Sequence, residues 1–312
     1  MRNFRRTLLG IICVAVVVLV LNAFLLENNP SPESNDESSL TENSNLYVGT
    51  YDASRSEHDI GSCKTLAEDA AIVVFCTDDD VKSWDKDGVL KTQEQAEWVS
   101  QYLRDRGAEY GVELTLPVYV YASNESQEIR FNGTITTGGE HCDALSSIAS
   151  NLGFSDKREM HRKIQKDLGM DQIAYIVAYS RDENNGNSFA QVKTHRDPNA
   201  YDWSDPEYAI ICVYEDEAPM IMHEMLHTFG AQDFYRKEWD MENSPVYNEA
   251  RENLAKTLCP TEVMLNCHLN RDVTEISDFT AYTIGWLDEL PEKYDCPDWW
   301  IGTQWEELYT PD

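Results

Sequence analysis

After a long apolar block at its amino terminus, the chain alternates between short, solidly hydrophobic runs and amphipathic stretches. Ala71–Phe75 is apolar throughout, the pattern of a strand buried on both faces. Glu94–Tyr110 sets Ala96, Val99, Tyr102 and Leu103 on one side of a helix. Val112–Tyr121 is β-rich, and Pro117 within it predicts an edge or a bulge, because proline offers no N–H to a ladder. Two helical stretches follow, Asp143–Leu152 and Lys157–Leu168. Three strand candidates come next: Ile173–Tyr179, Phe189–Thr194 and Tyr208–Tyr214. The outer two are apolar, as central strands are, and the middle one is polar and alternating, as an edge strand is. A further helix follows the third strand directly, and Ser277–Leu290 looks like a closing helix. This order predicts an α+β or α/β arrangement, a mixed sheet that delivers one functional helix.

The amino-terminal block changes the picture of where the domain works. Arg2, Arg5 and Arg6 precede an apolar run from Leu8 to about Leu26, interrupted only by Gly10 and Asn22. As a helix it would be roughly 28 Å long, close to the thickness of a bilayer core. It ends in Phe24, Leu25, Leu26 and Glu27, which is not a small-x-small cleavage site. Positive charge ahead of the run keeps that end in the cytosol. Residues 1–26 are therefore expected to be a transmembrane signal anchor, holding a single-pass protein with its C-terminal part outside the cell. A cleaved signal peptide, giving a secreted protein, is the alternative. Residues 27–45, rich in Ser, Asn, Glu and Pro, read as a disordered stalk, and residues 46–312 as the folded domain.

Charge narrows the partners. Setting aside the three anchor arginines takes the net charge from −31 to −34. Such a surface repels nucleic acid and anionic headgroups, so membrane contact is expected only through the anchor. It suits metals and cationic ligands. Cys63, Cys76, Cys142, Cys212, Cys259, Cys267 and Cys296 lie beyond the anchor. In an oxidising compartment their close spacing suggests the disulfides Cys63–Cys76 and Cys259–Cys267.

The chemistry concentrates in residues 218–235, APMIMHEMLHTFGAQDFY. Asp216 or Glu217 can cap a helix there, and Pro219 suits its first turn. His223 and His227 are four apart, so both imidazoles share one face and can grip one ion. Glu224 lies one step round the helix, where it can reach a water on that metal and act as the base. Three protein ligands leave one open position in a catalytic zinc site. Gly230 can end the helix in a left-handed turn that brings Asp233 back towards the metal. Glu249, or Glu252, on a following helix is the alternative third ligand. Taken whole, the motif is HExxHxxGxxD.

That motif resembles the zincin metallopeptidases, in the metzincin-like branch where aspartate replaces the third histidine. Secreted bacterial snapalysins and immune-inhibitor-A peptidases are similar there, over about Met220–Tyr235. The resemblance implies a zincin fold: a twisted mixed sheet with an edge strand over a cleft, an active-site helix, and a smaller helical C-terminal part. It implies His223, His227 and Asp233 as ligands of one zinc ion, Glu224 as catalytic base, and a peptide or protein substrate hydrolysed by an endopeptidase. Phe189–Thr194 would be the strand that an extended substrate joins. A zincin-like surface protein that holds a partner without cleaving it is the other reading. Met264 is a candidate for the methionine turn of such proteins, and Tyr235, His268 and Tyr282 are candidate oxyanion helpers.

Two weaker signals remain. In Ser83–Glu94, Asp85, Asp87, Gly88 and Glu94 sit at positions of a calcium loop, although Ser83 replaces the usual leading aspartate. A polar strand-to-helix connection explains the same residues without Ca2+. Trp299, Trp300 and Trp305 in the tail read as packing residues.

Overall fold

A computed structural model describes residues 62–135, 143–182, 186, 188–192, 205–235, 245–289 and 291, with residues 245–251 described by their backbone alone. The described residues fall in one compact unit, Gly49–Asp312. The anchor at 1–26, the stalk at 27–45, Cys142, Cys296 and the tail tryptophans lie outside them. Among the described residues, no helix is long and apolar enough to cross a membrane.

Five strands form one mixed sheet, with helices between them in chain order. They are β1 (Ala70–Cys76), α1 (Lys86–Glu109), β2 (Val118–Ala122), α2 (Ala144–Asn151), α3 (Lys157–Leu168), β3 (Gln172–Ser180), β4 (Phe189–Gln191), β5 (Tyr208–Val213), α4 (Ala218–His227), α5 (Pro245–Leu258) and α6 (Asp278–Thr283). The strand order is β2-β1-β3-β5-β4. Every pairing is parallel except β4 with β5, which is antiparallel. The three central strands are buried almost without a break, which is why their sequences carry no polar alternation. β4 is half-buried along its three residues and lies at the sheet edge. β2 forms the opposite edge. It begins after Pro117, whose carbonyl accepts from Ile72 N–H while its nitrogen can give nothing.

Each face of the sheet packs its own core. Alternate residues Ile72, Val74, Ala174, Ile176, Ala209 and Ile211 meet Ala96, Val99 and Leu103 of α1 and Ile221, Met222 and Met225 of α4. The other set, including Val73, Phe75, Tyr175 and Ile210, meets Leu145 and Ile148 of α2 and Met160 of α3. Helix α4 buries eight of its ten residues, so it runs through the core instead of over it. At the far end of β1 and β3, Arg181 grips Asp79 with both guanidinium nitrogens (2.7 and 3.3 Å) and lies over the Tyr179 ring. Burial opposes charge on Asp79, yet Arg181 and three backbone N–H donors hold its carboxyl below the usual range.

Several sequence expectations change: the second β-rich run pairs only over Val118–Ala122, and the closing helix spans only Asp278–Thr283. The helix expected from Glu94 begins about two turns earlier, at Lys86, because Asp85 caps it by accepting from Gly88 N–H at 2.7 Å. Residues 86–94 are thus helical, and only Ser83–Asp85 of the Ser83–Glu94 segment belongs to the strand-to-helix connection. The Cys63–Cys76 disulfide does not fit the sheet. Cys63 donates to the carbonyl of Ile173, the register partner of Ala71, and Cys76 lies at the strand's other end, roughly 16 Å away at strand rise. A disulfide needs Cα atoms within about 7 Å. The two thiols are separately buried, and burial pushes both up in pKa. Cys259 and Cys267 also carry no disulfide here.

Candidate metal centre

Helix α4 leaves the carboxyl end of β5 through Glu215–Glu217. Asp216 accepts from Ala218 N–H at 3.3 Å and pairs with Arg271, while Glu217 takes the cap position without a side-chain cap bond. Two histidines then emerge one turn apart, as their i, i+4 spacing requires. At the helix end Gly230 adopts φ 98°. Ala231 N–H closes on Leu226 O and Gly230 N–H on His227 O, both at 3.1 Å, the paired bonds of a Schellman turn. That turn reverses the chain and returns Asp233 to the histidines.

Three atoms converge as a result. His223 Nε2 is 3.2 Å from Asp233 Oδ1, His227 Nε2 is 3.1 Å from the same oxygen, and the two Nε2 atoms are 3.3 Å apart. The rings stand nearly perpendicular, at 86°. Each Nδ1 faces a backbone carbonyl: Val263 O at 3.0 Å for His223 and Ala231 O at 2.8 Å for His227. A carbonyl only accepts, so each Nδ1 carries the proton and each Nε2 turns a lone pair inward. Two lone pairs and a carboxylate oxygen this close repel unless a proton or a cation lies among them.

The donor set fits zinc. Ligands at about 2.0–2.1 Å in tetrahedral directions stand roughly 3.3 Å apart, which is the size of this triangle. Glu224 is buried on the same helix, and one ligand atom each from His223, Glu224 and His227 lies within 4.8 Å of the others. Burial works against charge on His223, but the Asp233 bond and the Glu224 and Asp233 charges outweigh it and raise its pKa. Burial likewise works against charge on Asp233, yet the His227 and His223 contacts hold its carboxyl well below the usual range.

The surroundings close the site. The Tyr235 ring stacks on His223 (5.9 Å, 25°); burial, then the Asp233 and Glu224 charges, push its phenol far up, and it hydrogen-bonds Asp233. Cys267 feels the same carboxylates. Burial, then Glu224, push its thiol up to about 12, so it stays protonated. Met264 is fully buried, and its carbonyl accepts from Phe234 N–H at 2.9 Å, beside Asp233.

Of the other candidates, Glu252 pairs with Lys256 along α5. Glu249 is on α5, and its side chain lies outside the described residues. His268 is exposed in the loop after Cys267, and Tyr282 is buried within α6. Sequence reasoning missed the carbonyls of Val263 and Ala231, which orient the two imidazoles, because backbone acceptors leave no mark on composition. No protein-family model matches the chain, and no curated protein matches it.

Proposed function

We propose that the chain is a zinc-dependent endopeptidase with a zincin-like fold, in which His223, His227 and Asp233 hold one zinc ion and Glu224 is the catalytic base. The observation that carries this reading is the triangle of two Nε2 atoms and one carboxylate oxygen, 3.1–3.3 Å on each side. The mixed sheet, with its antiparallel edge strand β4 beside β5 and the helix that follows, is compatible with it.

Zinc in that triangle would supply Lewis acidity and lower the pKa of a water it holds. The residues supply the rest. Val263 and Ala231 lock both imidazoles with their Nε2 atoms inward. Glu224 takes the proton of the attacking water and gives it to the departing amine. The buried side chains Ile221, Met222 and Met225 keep the helix itself dry. An extended substrate would add to the open side of β4 through main-chain bonds. The domain would act outside the cell, held by the anchor at residues 1–26.

Metal analysis of the purified residues 46–312 should find one zinc per chain. Glu224→Ala should keep that zinc and its fold while losing cleavage of a peptide library by at least about 100-fold. Cleavage by Glu224→Ala at the parental rate would refute the assignment of the base.

A further inference from the structure

Glu262 is a carboxyl group wholly buried at a turn that touches both sides of the site. Its Oε1 accepts from Met264 N–H at 3.1 Å, and its Oε2 accepts from Ser277 N–H, at the cap of α6. The Ser277 hydroxyl also bonds to it. Between the two anchored ends lies Val263. Its N–H donates to Glu275 O at 2.9 Å, and its carbonyl faces His223 Nδ1 at 3.0 Å. The next carbonyl, Met264 O, accepts from Phe234 N–H, one residue beyond Asp233.

A three-residue turn, Glu262–Met264, therefore touches helix α4 at His223 and the returning loop at Phe234. His223 sits on α4 and Asp233 on the loop that the Gly230 turn sends back, and the Glu262–Met264 turn braces both, through Val263 O on His223 and Met264 O on Phe234. Burial pushes the Glu262 carboxyl up in pKa, against bonds from Ser277, Met264 and Thr280, and these bonds tie the turn to α6. We infer that Glu262 is a positioning residue of the metal centre, which sets the distance between His223 and Asp233 through the Val263 and Met264 carbonyls. This rests on the metal-centre reading above.

Glu262→Gln keeps size and shape but presents an amide N–H₂ to one of two N–H donors, so the turn must shift. Zinc affinity is measured by competition with a chromophoric chelator, and cobalt(II) is substituted to read ligand geometry from its visible bands. Thermal unfolding is followed in parallel. Glu262→Gln should weaken zinc 10- to 100-fold, in the range for residues that orient ligands from outside the coordination set, and should shift the cobalt bands. Ser277→Ala removes one bond to Glu262 and the α6 cap bond from Thr280 N–H while leaving the backbone donors to Glu262, so it should weaken zinc by roughly 3-fold to 10-fold in the same direction. If Glu262→Gln does not fold, Ser277→Ala decides alone. Folded variants that bind zinc within 2-fold of the parent, with unshifted cobalt bands, would overturn the role of Glu262 and leave the metal centre standing, even if unfolding temperatures fall. A parent that binds no zinc overturns both.

Discussion

Two buried histidine environments face opposite sides of the same sheet. On the α3 side, His161 is 8% exposed and its ring meets the Tyr175 hydroxyl at 3.0 Å. Burial, helped by Arg162, lowers its pKa to about 4, so it is neutral across the physiological range. On the α4 side, His223 is fully buried, yet its pKa is raised. Burial is the stronger of the two on His223, so solvent access cannot explain the difference. Asp233 and Glu224 do. A histidine given a phenol is a packed core residue; a histidine given a second imidazole and a carboxylate is a place where positive charge belongs. That separates a structural imidazole from a candidate ligand without reference to any relative.

The comparison can be broken most forcefully at Asp233. Asp233→Asn should weaken zinc by more than about 100-fold, since even residues behind the ligands are worth that much. In the metal-free protein it should also lower the His223 pKa towards the His161 kind, since only the Glu224 charge and the Val263 carbonyl then oppose burial. Proton NMR titration of both imidazoles checks this, and an unchanged His223 would show that Asp233 is not the cause.

His161 gives the next effect. Its folded pKa lies below its unfolded one, so between about pH 6.5 and 4 the unfolded chain binds a proton that the folded chain does not. Stability is therefore full above that window and falls as the pH drops through it, by about 3 kcal/mol in all. His161→Gln keeps a partner for Tyr175 and should flatten this slope in denaturant titrations at pH 7, 5 and 4.

Smaller effects test the scaffold. Gly230→Ala puts a Cβ on a residue at φ 98° and should cost about 1–2 kcal/mol in chemical unfolding, together with weaker zinc binding because Asp233 hangs from that turn. The pair Glu252–Lys256 on α5 repeats a carboxylate–cation contact with its lysine exposed and its glutamate only partly so. Lys256→Gln should move stability by less than about 0.5 kcal/mol.

Much of this was legible in the sequence, for physical reasons that differ by element. Strands β1, β3 and β5 showed as unbroken apolar runs because both faces are covered, and β4 showed as a polar edge because one side is open. The start of α1 did not show. Lys86–Gln93 has only Val89 and Leu90 as apolar residues and contains Gly88, and the Asp85 side chain on Gly88 N–H starts the helix there. In the site, Gly230 pointed to Asp233, since a glycine in a helical segment needs a turn to justify it. The partners that hold the imidazoles did not show, because Val263 lies 40 residues from His223 and contributes only its backbone. The same holds for Asp79 and Arg181, which are 102 residues apart and follow no period. Glu262 left one faint trace, a lone acid just ahead of an apolar Val263–Leu265 run.

The central claim is that His223, His227 and Asp233 form a zinc site, and direct metal titration of residues 46–312 tests it most closely. The account predicts one tightly bound zinc per chain in the parent, and its loss in His227→Ala under the same competing chelator. A folded parent that binds no zinc, or a His227→Ala variant that binds it as tightly as the parent, would contradict it.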